Sequence, residues 1–246
     1  MWIIFLFLQI ILISMYIISF TVAVLTSTFG YVVFLAVSSS ASFQKLISLD
    51  PYDNSYQILL QRLIGVIIFG VFPVFVLQLF FKFPLKEFGI VTEIRAESIM
   101  WTFLLALLII PMNFFNSKKS DNLSMYPQVR KKNWSIGLFI SSSISWMAYL
   151  FAYEMLFRGF LLFSTLELIG YCPAILVNTG IYSLVHYPKG HKEAFGAVPL
   201  GLILCILTLK TGNIWIAVIV HIILALSNEY FSLWEHKKIT NNIFSG

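Results

Sequence analysis

Charged residues are scarce in this chain: 16 Lys and Arg with 11 Asp and Glu make up 11% of 246 residues, against 59% hydrophobic residues. That balance excludes a water-soluble domain, because so little polar surface cannot enclose so much apolar surface. Cysteine is nearly absent. Cys172 and Cys205 lie in or beside apolar runs without CxxC spacing, so no disulfide framework or cysteine-built metal site follows. No HExxH occurs, which excludes a zincin helix. Internal repeats and low-complexity segments are missing too, beyond the apolar bias itself. The opening segment MWIIFLFLQIILISMYIISF lacks a basic n-region and is too long an apolar run for a secretory h-region. It is expected to stay as a membrane anchor.

Long apolar runs are what the chain has instead. They lie near 2–25, 60–81, 98–115, 136–157, 170–187, 195–210 and 213–233, with 29–41 either extending the first or forming an eighth. None alternates as a barrel strand does, and open sheet edges are not tolerated in lipid. The expected fold is therefore all-α, a polytopic membrane bundle of about seven to eight transmembrane helices. Between Ser117 and Lys132 stand Lys118, Lys119, Arg130, Lys131 and Lys132 against the single acid Asp121. Such a short basic loop between spans predicts a cytoplasmic side, not a nucleic-acid surface. The chain divides into anchor helices over 1–116, this loop over 117–135, a polar-lined core over 136–234 and a tail over 235–246. Between spans, 83–89 and 93–97 predict an interfacial turn and a helix entry.

The first half carries few polar atoms inside its spans, and anchoring and packing account for it. In the second half, Glu154 and Arg158 stand four residues apart within an apolar run, on one face of a helix. An ionisable group at membrane depth costs about 2.5–3.5 kcal/mol or more, so it marks either a register-fixing ion pair or a functional site. Next, Asn178, Tyr182 and His186 recur every fourth residue, ending where Pro188 and Gly190 break the helix. The last run repeats the pattern with His221, Asn228, Ser232 and Glu235 along one face. Ser141, Ser142, Ser143 and Ser145 are small hydroxyl residues suited to close helix packing. Interhelical hydrogen bonding would explain each stripe singly; three stripes together predict one lined cavity. A carboxylate with two histidines suits hydrolysis, with or without a metal ion.

The order Glu154xxxArg158-Gly159-Phe160, then Tyr182xxxHis186, then His221 on a late span resembles the CAAX protease and bacteriocin-processing family, also called the Abi family, over about residues 126–234. That family carries Glu-Glu-x-x-x-Arg, Phe-x-x-x-His and His-x-x-x-Asn or Asp motifs on a bundle of about eight helices. Tyr153 stands where the family has its first Glu, and Ala225 where the third motif has Asn or Asp.

The resemblance implies a membrane-embedded endopeptidase of multi-pass topology, in a bacterial plasma membrane. Glu154, helped by Glu193, and His186 would activate water; His221 and Asn228 would stabilise the oxyanion. Arg158 would orient Glu154 and favour its charged form, with Tyr153 and Tyr182 in support. Zn²⁺ is a candidate cofactor, with Glu154, His186 and His221 as candidate ligands. The implied partners are the bilayer and a peptide or protein substrate: a lipidated or membrane-anchored C-terminal tail, or a leader peptide. Two alternatives remain, a non-catalytic immunity or membrane-protein assembly factor and a transporter.

Overall fold

The computed structural model describes residues 2–40, 53–82 and 84–244. Residue 41 at the end of the 29–41 stretch, residue 83 of the expected turn and residues 245–246 of the tail lie outside them. Helix α1 (Trp2–Leu25) passes through a π-helical turn, Thr26–Gly30, into α2 (Tyr31–Ser39) without leaving the helical path. The 29–41 stretch, as far as it is described, therefore lengthens the first span and adds no eighth. A second rod joins α3 (Ser55–Val66), a π-helical turn at Ile67–Val71, and α4 (Phe72–Phe81). Then follow α5 (Ala96–Asn116), the short α6 (Ser120–Met125) and α7 (Ile136–Glu154). Helix α7 runs on through a π-helical turn at Met155–Leu161 into α8 (Leu162–Ile169). The remaining helices are α9 (Tyr171–Leu184), α10 (His191–Thr211) and α11 (Trp215–Phe244).

The helical membrane bundle is as expected. Six helical segments among the described residues are long and apolar enough to cross a membrane: Phe5–Ser39, Ser55–Leu79, Ala96–Asn116, Ile136–Ile169, His191–Thr211 and Trp215–Lys237. The run expected to cross at 170–187 folds as the 14-residue α9. At 1.5 Å per residue it reaches about 21 Å, short of a ~30 Å hydrocarbon core. It ends because Pro188 falls in a 3₁₀ turn, Tyr187–Lys189, and Gly190 takes φ 111°. His186 is thereby left at the end of a helix too short to cross.

Local chemistry explains the other boundaries. Ser135 caps α7, its hydroxyl accepting from the Leu138 N–H at 3.1 Å. Gly212 closes α10 in the left-handed conformation, φ 68°, donating to the Thr208 carbonyl at 2.8 Å. Helix α7 can lie tightly on the second rod because Gly70 has no side chain. A Cβ there would stand 2.8 Å from that of Ala152.

Charge enters the spans at more places than Glu154 and Arg158. Arg62 of α3 and Glu229 of α11 are both buried and stand 4.0 Å apart. The Arg62 guanidinium donates to the Ser142 carbonyl, the Ser142 hydroxyl and the Gln128 side chain at 2.9–3.1 Å, and covers the Trp146 ring. Glu229 accepts the backbone N–H of Gln128 at 2.8 Å. Asn54 adds hydrogen bonds to the Gln128 carbonyl and the Arg130 N–H, and Lys131 pairs with Asp53 at 2.6 Å. The basic loop is thus clamped to α3 and α11. Losing one charged hydrogen-bond acceptor costs about 1–3 kcal/mol. Glu229→Gln is accordingly expected to speed tryptic cutting at Arg130, Lys131 and Lys132 in the detergent-solubilised protein. Cutting at the wild-type rate would count against the clamp.

Candidate active site

Four helical elements converge on Glu154. The carboxylate and Arg158 are both 0% exposed, and they pair at 3.1 Å between Oε2 and Nη1 across the start of the π-helical turn. This is a contact of charges without the alignment of a hydrogen bond. The other carboxylate oxygen, Oε1, lies 2.5 Å from Nδ1 of His221 on α11. The Arg158 guanidinium also covers the Tyr182 ring of α9, with 3.9 Å from its central carbon to the ring centre. Four residues on, just past the end of α9, Nδ1 of His186 lies 2.7 Å from the Tyr182 carbonyl, and the two rings are 4.5 Å apart. Tyr153 completes the cluster, its ring edge-on to His186 at 6.2 Å and to His221 at 5.9 Å.

The partners fix the histidine tautomers. A carboxylate facing a guanidinium accepts only, and so does a peptide carbonyl. Nδ1 therefore carries a proton in both rings, so in the neutral imidazole Nε2 is the nitrogen that can act as a base. Glu154 stands behind His221 as the orienting acid of a catalytic triad stands behind its histidine. It is not open to water itself, being buried and partnered at both oxygens. This differs from the expectation that Glu154 takes the proton from water directly.

Tyr153, Glu154, Arg158, Tyr182, His186 and His221 are brought together, whereas Glu193 and Asn228 are not joined to them. Glu193 lies in the first turn of α10, beyond the break that ends α9, and makes no ion pair with the cluster among the described residues. Asn228 is two turns beyond His221 on α11, about 10 Å along the axis at 1.5 Å per residue. It is buried, with Oδ1 unpartnered among the described residues. Placement on one helical face was legible; contact across helices was not. The Tyr153 hydroxyl is likewise buried without a hydrogen-bond partner among the described residues. A cavity of about 570 Å³, lined by Val22, Leu25, Phe29, Ile68 and Phe72 among others, lies between the first two spans, away from these groups.

A catalytic zinc takes three protein ligands and keeps one open position. Here Glu154 is already held by Arg158 and His221, and both Nδ1 atoms are engaged, so two Nε2 atoms remain. Among the described residues, no three His, Cys, Asp or Glu side chains are grouped to hold a metal ion. The donors of this cluster do not fit the expected Zn²⁺ site.

Asn178, legible in the sequence only as one member of a polar stripe, has a supporting place. Fully buried on α9, it donates from Nδ2 to the Phe157 carbonyl at 2.5 Å, and Cys205 of α10 donates to its Oδ1 at 3.1 Å. Arg62 and Glu229 went unmarked, although an acid and a base inside apolar runs are themselves signals.

Comparison with known proteins finds a family match over the second half of the chain. Residues 135–227 match the model described as type II CAAX prenyl endopeptidase Rce1-like. The matched segment holds Glu154, Arg158, Tyr182, His186 and His221, and the family resemblance carried by those residues is borne out there. No curated protein and no solved structure matches the chain.

Proposed function

We propose, from the match of residues 135–227 to Rce1-like type II CAAX prenyl endopeptidases, that this multi-pass membrane protein hydrolyses a peptide bond with a water activated by histidine. The observation that carries this reading is the 2.5 Å contact between Glu154 Oε1 and His221 Nδ1, backed by Arg158. It leaves Nε2 as the ring nitrogen of His221 available to serve as the base. His221 takes a proton from water as the oxygen attacks the carbonyl carbon. The same proton then passes to the leaving nitrogen as the C–N bond breaks, giving a new carboxylate and a new amine. His186 Nε2 accepts a hydrogen bond from the water's second O–H, and that proton passes on to the new amine as the new carboxyl group ionises. The Tyr153 hydroxyl, buried and unpartnered among the described residues, is the donor for the developing oxyanion.

The substrate class follows from the setting. His186 stands at the end of a helix too short to cross, among helices that do, so the scissile bond must come to it from a chain held at the membrane. A peptide tail with a lipid or apolar anchor meets that requirement, and the lipid-modified C-terminal tail is the form proposed. The basic loop end is the proposed entry, on the cytoplasmic side of a bacterial plasma membrane. There Lys192, next to the His186 turn, pairs with Asp121.

Purified protein in liposomes, given peptides with a lipidated C-terminal segment, is expected to release the cleaved tail. His186→Ala should slow release by about 10²–10⁴-fold, the usual worth of a positioned acid–base group. Dialysis against a chelator should leave the rate unchanged. Absence of cleavage by the wild type, with lipidated and unmodified anchored peptides alike, would favour a non-catalytic role. Tyr153 in place of the family's first Glu is the observation on that side.

A further inference from the structure

Arg158 lies inside a π-helical turn, and a π-bulge amounts to one residue inserted in an α-helix. Such an insertion can migrate along the chain. Each residue it passes turns by about 100° around the helix axis, the rotation of one residue. Were the turn to move past Arg158, the guanidinium would leave the Glu154 carboxylate. Something must hold the bulge over Met155–Leu161.

Within this turn the Phe157 carbonyl accepts the wide-turn hydrogen bond from the Leu162 N–H. It accepts a second one from outside the helix, from Nδ2 of Asn178 at 2.5 Å. Asn178 cannot turn its amide freely, because the Cys205 thiol donates to its Oδ1 at 3.1 Å. Asn178 and Cys205 are both fully buried, so no water is at hand to replace either bond. The Gly159 backbone also lies close under the Phe88 carbonyl, where an added Cβ would come to 3.3 Å. The relay runs from α10 through α9 to a carbonyl of the π-helical ladder itself.

We infer that Asn178 is a positioning residue for the hydrolytic centre. By pinning the π-helical turn through Phe157, it keeps Arg158 on Glu154 and so keeps His221 in the tautomer with Nε2 free. This rests on the reading of His221 as the base. Asn178 touches no substrate and so should act on kcat and not on KM.

The test uses full-length protein in lipid nanodiscs with ¹⁵N-labelled histidine, comparing wild type, Asn178→Leu and Asn178→Gln. Wild type is expected to show His221 protonated at Nδ1. Asn178→Leu keeps the volume without the donor. It should give a mixed His221 tautomer and lower kcat toward an anchored peptide by about a hundredfold, as small misplacements of catalytic groups do. KM should be unchanged. Asn178→Gln should recover most of both. If Asn178→Leu does not assemble, Cys205→Ala decides instead, with an expected loss in kcat of about threefold, near the net worth of one hydrogen bond. A wild-type His221 signal and kcat in Asn178→Leu, or in Cys205→Ala where that variant decides, would overturn the inference. An inactive wild type would instead remove the hydrolase reading, and the tautomer signals would still judge Asn178.

Discussion

Arg158→Met is expected to lower the stability of the bundle by about 3–5 kcal/mol, the cost of stranding one buried charge of a pair. Glu154 is fully buried, and its remaining neighbour, His221, reaches only one of its oxygens. The carboxylate would have to bind a proton or draw water into the core, and either would displace His221. The double variant Glu154→Leu/Arg158→Met should regain most of the lost stability, since apolar groups of similar volume often replace a buried pair without loss. Catalysis should not return with it. Thermal unfolding of the solubilised protein separates the two cases. A single variant that unfolds at the wild-type temperature would mean that the pair carries no such coupling.

His221→Ala and Glu154→Gln should each cost about 10²–10⁴-fold in turnover. If Glu154 acts only through His221, the two changes strike one device. The double variant should then lose little more than the worse of the two, because residues that act as a unit are not additive. Glu154→Gln keeps the shape while offering His221 an amide that can donate, which permits the wrong tautomer. Turnover of the four proteins on one anchored peptide gives the cycle. Fully multiplicative losses would separate Glu154 from His221 and return it to a role of its own.

Much of the membrane architecture was written in the apolar runs. Runs such as 98–115 and 195–210 became α5 and α10 because length and composition alone decide whether a helix can cross. At 170–187 the apolar content passes through His186, but Pro188 and Gly190 set the turn and leave α9 at 14 residues. Periodicity likewise placed Glu154, Arg158, Tyr182, His186 and His221 on faces that meet. It could not tell that Asn228, on the His221 face, lies apart from the cluster, since spacing along one helix carries no information about the neighbour it meets. Arg62 and Glu229 are far apart in sequence, and only the packed bundle shows them as partners. The π-helical turn behind Arg158 had no sequence signature, and Asn178 acquires its meaning from that turn.

Whether Glu154 presents His221 as the base for peptide hydrolysis is decided by single-turnover cleavage of a lipid-anchored peptide in ¹⁸O-labelled water, comparing wild type with Glu154→Gln. The wild type should release a fragment with one ¹⁸O in its new carboxylate, and Glu154→Gln should form it at least about a hundredfold more slowly. Equal rates of labelled product from the two proteins would refute that role for Glu154.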